Sequence, residues 1–153
     1  MGSITITTPI DAPPEVCFDL ALDVAAHVES AAFSGERLVA PGKLEGILER
    51  GDLICFEGRH FGLRQRFCAR ITEVDRPRMF VDEMVEGAFR WLRHVHEFQP
   101  AGSATVMIDR LEWQSPLGVI GKLADALFVE RHMAWFVRTK QARLKEIAER
   151  RVR

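Results

Sequence analysis

Residues Gly87 to Pro116, GAFRWLRHVHEFQPAGSATVMIDRLEWQSP, carry the alternating pattern of two long β-strands joined by a turn. Because successive strand side chains face opposite ways, one face of the first strand holds Leu92, His94, His96 and Phe98. The matching face of the second strand holds Thr105, Met107, Asp109, Leu111 and Trp113.

A four-residue turn at 100–103 sets Gln99 opposite Ala104 and predicts that His94 lies opposite Asp109 and His96 opposite Met107. Two histidines and a carboxylate then share an apolar, inward face. Burying such groups is costly unless they pair. We therefore expect His94, His96 and Asp109 to form the functional spot.

The flanking sequence predicts more strands and two short helices. Ser3–Pro9 is rich in β-branched residues, and a helix starting at the prolines after Asp11 is followed by one capped by Asp23. The other strands are expected at Arg37–Ala40, Leu44–Leu48, Leu53–Phe61, Leu63–Val74 and Met79–Val85. A bulge is needed if Glu73 is to face outward, and another near Trp91 if His94 is to face inward.

The last third of the chain predicts one long helix that starts at Ser115-Pro116 and is broken near Gly121. Apolar side chains at helical spacing form a stripe from Leu123 to Ala148. An antiparallel sheet with one buried face needs cover, and this helix is the element large enough to provide it. The chain is therefore expected to be a single α+β domain, residues 1–153, in which about seven curved strands wrap the helix and leave room for an apolar ligand.

The composition narrows the function classes. The 153 residues are 47% hydrophobic and 28% charged with a net charge of −1, so no overall basic field attracts nucleic acid. No apolar stretch approaches the roughly 20 residues of a membrane span. Cys17, Cys55 and Cys68 have no metal-type spacing, and no signal peptide is visible. We expect free thiols, a cytoplasmic location and a monomer or homodimer.

Several motifs resemble the SRPBCC superfamily, which includes START domains and polyketide cyclase/dehydrase-like proteins, and within it an uncharacterised bacterial ligand-binding group. The motifs are Gly35-Glu36, Arg59-His60-Phe61-Gly62, Pro77-x-x-Phe80-x-Asp82, Gly87-x-Phe89, His94-x-His96-x-Phe98, Thr105-x-Met107-x-Asp109-Arg110 and Ser115-Pro116-Leu117-Gly118. His27 in the second helix also fits, whereas Leu92 stands where a tryptophan is expected. The resemblance implies a helix-grip fold over nearly the whole chain, and it leaves the function open.

Three functions follow as hypotheses. The first is binding of a small, mostly apolar ligand that is lipid-, polyketide- or aromatic-like. The ligand would contact His27, His60, Phe67, Met84, Met107, Leu111, Trp113, Leu127, Phe128 and Phe136. The second is a cyclase/dehydratase-type enzyme with a cavity histidine as general base, and the third is a macromolecular interaction module.

Each polar candidate also has a plainer interpretation. His94 and Asp109 could be a polar pair that only fixes the hairpin register, and His27 and His60 could be surface histidines. Two histidines and a carboxylate also match a metal site on paper. The cupin pattern, however, requires a glutamate a few residues after the second histidine and a further distant histidine. Glu97 follows His96 immediately and faces the other side of its strand, so we expect no metal and no cofactor.

Overall fold

The computed structural model describes residues 1–60 and 62–153, with the backbone alone for His60 and Asp125. The strands are β1 (Gly2–Ile10), β2 (Arg37–Leu38), β3 (Leu53–His60), β4 (Leu63–Asp75), β5 (Met79–Glu86), β6 (Trp91–Ala101) and β7 (Ala104–Gln114). The helices are α1 (Pro14–Leu22), α2 (Val24–Ser30), α3 (Gly118–Ala124) and α4 (Glu130–Arg151), with a π-helical segment, Asp125–Val129, between α3 and α4.

Within the described residues, seven strands form one antiparallel sheet in the order β1-β7-β6-β5-β4-β3-β2. The chain meanders from β2 to β7, and β1 then pairs with β7 from Gly2↔Trp113 to Ile10↔Thr105. The strand expected at Leu44–Leu48 is wrong. Leu48 instead donates its backbone N–H to Leu22, and Ile47 makes one isolated bridge to Asp23.

The two short helices after β1 are confirmed. Pro14 opens α1, where a missing N–H costs nothing. Asp23 lies between the helices, and its side chain accepts the Ala25 backbone N–H at 3.0 Å, as expected of a cap. Buried side chains of both helices, among them Phe18 and Val24, pack into the core.

The C-terminal helical segment spans 34 residues, Gly118 to Arg151, across the concave face of the sheet. Its predicted start at Ser115 is wrong, because α3 begins at Gly118 with φ 55°. The predicted break at Gly121 is also misplaced: the irregularity is the π-helical segment that follows. The buried side of α4 carries Val137, Gln141, Leu144, Ile147 and Ala148. No helix in the described part of the chain is long and apolar enough to cross a membrane.

The core holds one disulfide. Cys55 and Cys68 lie directly opposite each other in β3 and β4 and are bonded, while Cys17 is a buried free thiol. The expectation of three free thiols is therefore wrong for two of them. The spacing of the cysteines along the chain does not reveal the strand register that brings these two together.

Candidate functional site

The β6–β7 hairpin turns more tightly than expected. Ala101 pairs with Ala104, so the turn has two residues, and Gly102 supplies the positive φ of 64° that such turns require. The predicted register is therefore wrong by two residues, and His96, not His94, lies opposite Asp109. Because a shift of two residues keeps every side chain on its face, the inward set is as predicted.

Asp109 is the centre of a buried polar cluster. Its Oδ1 lies 2.9 Å from His94 Nε2 and accepts a 3.0 Å hydrogen bond from Gln141 Nε2 of α4. His96 Nδ1 lies 2.9 Å from the same oxygen, at an angle outside that of a hydrogen bond. The predicted contact of His94 with Asp109 is thus made diagonally across the strands, within the reach that a general base requires. A catalytic role for His94, His96 and Asp109 stays a prediction.

Asp82 of β5 completes the cluster and is absent from the sequence-predicted site. It lies opposite His94, and its Oδ2 is 2.8 Å from His96 Nε2. The β5–β6 ladder runs without a shift from Met79 to Glu83, so Asp82 shares the inward face of Phe80. A register shift in the β4–β5 ladder between Ile71 and Glu73 leaves Glu73 exposed. The signal that could have found Asp82 is its place between the inward side chains of Phe80 and Met84.

Ring stacking holds the His96 side chain. Its ring centroid is 3.8 Å from that of His94 on one side and 4.2 Å from that of Phe80 on the other, with interplanar angles of 30° and 17°. His96 is buried, whereas 14% of the His94 side chain is exposed. The His96 ring is therefore fixed in place, and the His94 ring lies nearer to open space.

The cluster carries an internal charge pattern. Burial alone would lower the pKa of His96, but the contacts with Asp109 and Asp82 raise it to about 9. Burial and the neighbouring His96 lower the pKa of His94. Burial would raise the pKa values of Asp82 and Asp109, yet their histidine partners hold both below the ordinary value. At neutral pH a cationic His96 thus lies between two carboxylates, next to a neutral His94.

A second polar pair joins α2 and α4. Lys140 Nζ lies 3.1 Å from His27 Nδ1. Burial and then the charge of Lys140 lower the pKa of His27 well below its usual range, so the imidazole is neutral and accepts the ammonium hydrogen. Burial also lowers the pKa of Lys140. This pair borders the same internal space as His94 and His96 of the buried polar cluster.

A cavity of about 330 Å³ lies between the sheet and the C-terminal helical segment. Most of its wall is apolar. The polar groups on the wall are Asp82, His94 and His96 of the buried polar cluster, the His27–Lys140 pair and a few other side chains. Of the side chains expected to contact a ligand, those on this wall are His27, Phe67, Leu111 and Phe136.

Three of the other expected contacts lie away from the cavity wall. Met107 and Trp113 are fully buried in the core, and Met84 packs against the cluster around Trp113. The side chain of His60 lies outside the described residues. In the structure as described, Met84, Met107 and Trp113 form no part of the cavity wall.

The prediction that Leu127 and Phe128 face the cavity is wrong. They are 51% and 64% exposed rather than inward. Both belong to the π-helical segment, whose turn is wider than that of an α-helix. The wider turn breaks the alignment of Leu123 and Leu127 with Val137 along one face of the helix. A 3.6-residue period drawn through that segment therefore assigns them to the wrong side.

Comparison with solved structures places this architecture among known folds. The Zhui aromatase/cyclase from Streptomyces sp. R1128 is 12% identical over 99% of this chain and 96% of its own, with a TM-score of 0.79. The protein TTHA0849 from Thermus thermophilus is 20% identical over 95% of each chain, with a TM-score of 0.74. A START superfamily protein from Mycobacterium smegmatis is 14% identical over 97% of each chain, with a TM-score of 0.72.

No protein-family model and no curated protein matches the sequence. The likeness is therefore one of fold, and it agrees with the strand order, the two short helices and the long C-terminal helical segment described above. The chain has the SRPBCC-type helix-grip fold.

Proposed function

We propose that the protein binds a small, mostly apolar ligand, of lipid-, polyketide- or aromatic-like chemistry, in the cavity between the sheet and the C-terminal helical segment. The observation that carries this proposal is the cavity itself, at about 330 Å³. That volume lies at the lower end of the range for small-molecule sites, which are mostly apolar with a few converging polar groups.

The wall of the cavity supports an apolar body for the ligand. Phe56, Phe67 and Ala69 contribute from β3 and β4, and Leu92 and Leu111 from β6 and β7. Burying apolar ligand surface against such side chains is favourable by roughly 25 cal/mol per Å². A ligand without a large apolar part would leave this wall in contact with water.

The polar groups support one or two oxygen-bearing substituents on the ligand. His94 and Asp82 lie on one part of the wall, and Lys140 lies on the part contributed by α4. The Lys140 ammonium can donate to a carbonyl, hydroxyl or carboxylate oxygen, the Asp82 carboxylate can accept from a hydroxyl, and the neutral His94 ring has one donor and one acceptor nitrogen. Two of the similar structures are an aromatase/cyclase and a START superfamily protein, which agrees with this chemistry.

The test combines ligand identification with blocking of the cavity. Native mass spectrometry of the purified protein should show a bound small molecule, and an environment-sensitive anilinonaphthalene dye should bind and fluoresce. Ala69→Phe, on the cavity wall, should fill that space and lower the dye affinity at least about tenfold. A larger side chain at a buried position typically costs about 1–3 kcal/mol of stability, so the variant is compared under conditions in which it is folded.

Ala101→Phe is the matched control, because Ala101 lies exposed at the end of the β6–β7 hairpin. It adds the same side chain away from the cavity and should leave dye affinity unchanged. Equal dye binding by the wild type and a folded Ala69→Phe variant, as judged by its urea midpoint, would overturn the proposal.

A further inference from the structure

Three metal-ligating side chains converge on the polar wall of the cavity. One donor atom each from Asp82, His94 and His96 lies within 4.8 Å of the other two. All three side chains border the cavity, and at most 16% of any one of them is exposed. Two imidazoles and a carboxylate are a common donor set for first-row divalent metals.

Asp109 orients both rings toward this point of convergence. Its hydrogen bond with His94 occupies Nε2 and leaves Nδ1 free to ligate. Its contact with His96 occupies Nδ1, so Nε2 faces Asp82. The ion takes the place of the proton that lies between Nε2 and Asp82, and that proton is released to solvent on binding. Metal-binding histidines usually donate their second ring N–H to a carboxylate. That carboxylate fixes which ring nitrogen faces the ion.

The distances require a small rearrangement of the donor atoms. Neighbouring ligand atoms in a tetrahedral site with bonds of about 2.1 Å are roughly 3.4 Å apart. Asp82 Oδ2 and His96 Nε2, which are 2.8 Å apart, must therefore separate slightly, while the His94 donor atom, which lies within 4.8 Å of both, must move closer. The inward movement falls on His94. Its side chain is less buried than that of His96, and it moves toward cavity space.

We propose that Asp82, His94 and His96 bind one divalent transition-metal ion, such as Zn²⁺ or Co²⁺, on the cavity wall, with Asp109 as the outer carboxylate. The sequence-based expectation of no metal assumed that the carboxylate would be Glu97. Glu97 does lie on the other face, where it pairs with Arg110. The carboxylate comes instead from β5, and the remaining coordination positions of the ion face the cavity.

The experiment is metal binding by chelator-treated protein. Dialysis against Zn²⁺ followed by elemental analysis should give one ion per chain, and Co²⁺ should produce the visible absorption of a site with nitrogen ligands. Asp82→Asn and His94→Ala should each weaken Zn²⁺ binding at least about tenfold, since a lost ligand costs no less than a lost outer partner.

Two variants serve as controls. His132→Ala removes another histidine of the cavity wall, and Cys17→Ser removes the free thiol. Both should bind Zn²⁺ like the wild type. The proposal is overturned if the wild type holds no ion at micromolar free Zn²⁺, or if folded Asp82→Asn and His94→Ala variants bind it as tightly as the wild type does. The wild-type Co²⁺ spectrum decides the matter even if one variant fails to fold.

Discussion

His96 lies directly opposite Asp109 in the β6–β7 ladder and is bonded on its far side to Asp82, so one imidazole links three neighbouring strands. Breaking a buried charged pair by removing one partner typically costs about 3–5 kcal/mol. The stability of the hairpin and the polarity of the cavity wall therefore depend on the same side chains.

Removing the central carboxylate should destabilise the fold. Asp109→Ala leaves His94 Nε2 and Gln141 Nε2 without their acceptor and deprives His96 of one counter-charge. The expected loss in the free energy of unfolding is about 3 kcal/mol, measured by urea denaturation. Glu112→Ala, on the outward face of β7, should change it by less than about 0.5 kcal/mol. Similar losses for the two variants would show that the cluster does not support the fold.

Reduction of the disulfide should also lower stability. The Cys55–Cys68 bond joins residues 13 apart, and closing a loop of about 15 residues stabilises by roughly 3 kcal/mol in the chain-entropy account. A Cys55→Ala/Cys68→Ala double variant should show a similar loss in the free energy of unfolding. It should be insensitive to dithiothreitol, whereas the wild type should be sensitive.

Thiol titration supplies the control for that experiment. Burial raises the pKa of Cys17, so this thiol should react slowly in the native state. The unreduced, unfolded protein should show one reactive thiol, and the reduced protein three. Three thiols without reduction would contradict the bond.

Low pH should weaken the contact between the loop after β1 and helix α4. Glu149 accepts the Asp11 backbone N–H at 3.0 Å and pairs with Lys145, and both contacts hold its pKa below the ordinary 4.5. A depressed folded-state pKa stabilises above the unfolded value, and the effect is lost as the pH falls through the folded value. Glu149→Gln should therefore lower the free energy of unfolding at pH 7 by about 0.5 kcal/mol, seen as a lower urea midpoint.

The difference between Glu149→Gln and the wild type should shrink below pH 4.5 and vanish once the native carboxyl is protonated. Glu146→Gln, an exposed carboxylate on the same helix, is the control and should leave the midpoint unchanged at both pH values. A deficit of Glu149→Gln that persists at low pH would point to lost packing rather than lost charge.

The side-chain faces of the hairpin could be predicted from the sequence, whereas its register could not. Period-two alternation assigns Leu92, His94 and His96 to one face whatever the partner strand does. The register depends on turn length, and Pro100 and Ala101 continue the strand instead of joining the turn. The predicted register is wrong by two residues, and because that number is even every side chain is still assigned to the correct face of the sheet.

Two other features depend on information that local patterns lack. Asp82 joins the site through the register of a third strand, β5, which places it opposite His94 of β6. Leu127 and Phe128 face outward because the π-helical segment interrupts the helical period. The long helix itself was predictable, since the stripe from Val137 to Ala148 keeps regular spacing within α4.

The pairing of β1 with β7 has a consequence for synthesis on the ribosome. Gly2 is made roughly a hundred residues before its ladder partner Trp113. At translation rates of about 5–20 residues per second, β1 waits on the order of 5–20 seconds for its partner strand. During that interval the nascent chain exposes Ile6 and Ile10, which later become buried. Of the seven described strands, β1 is therefore the first to be made, yet it cannot pair until β7, the last, has been made.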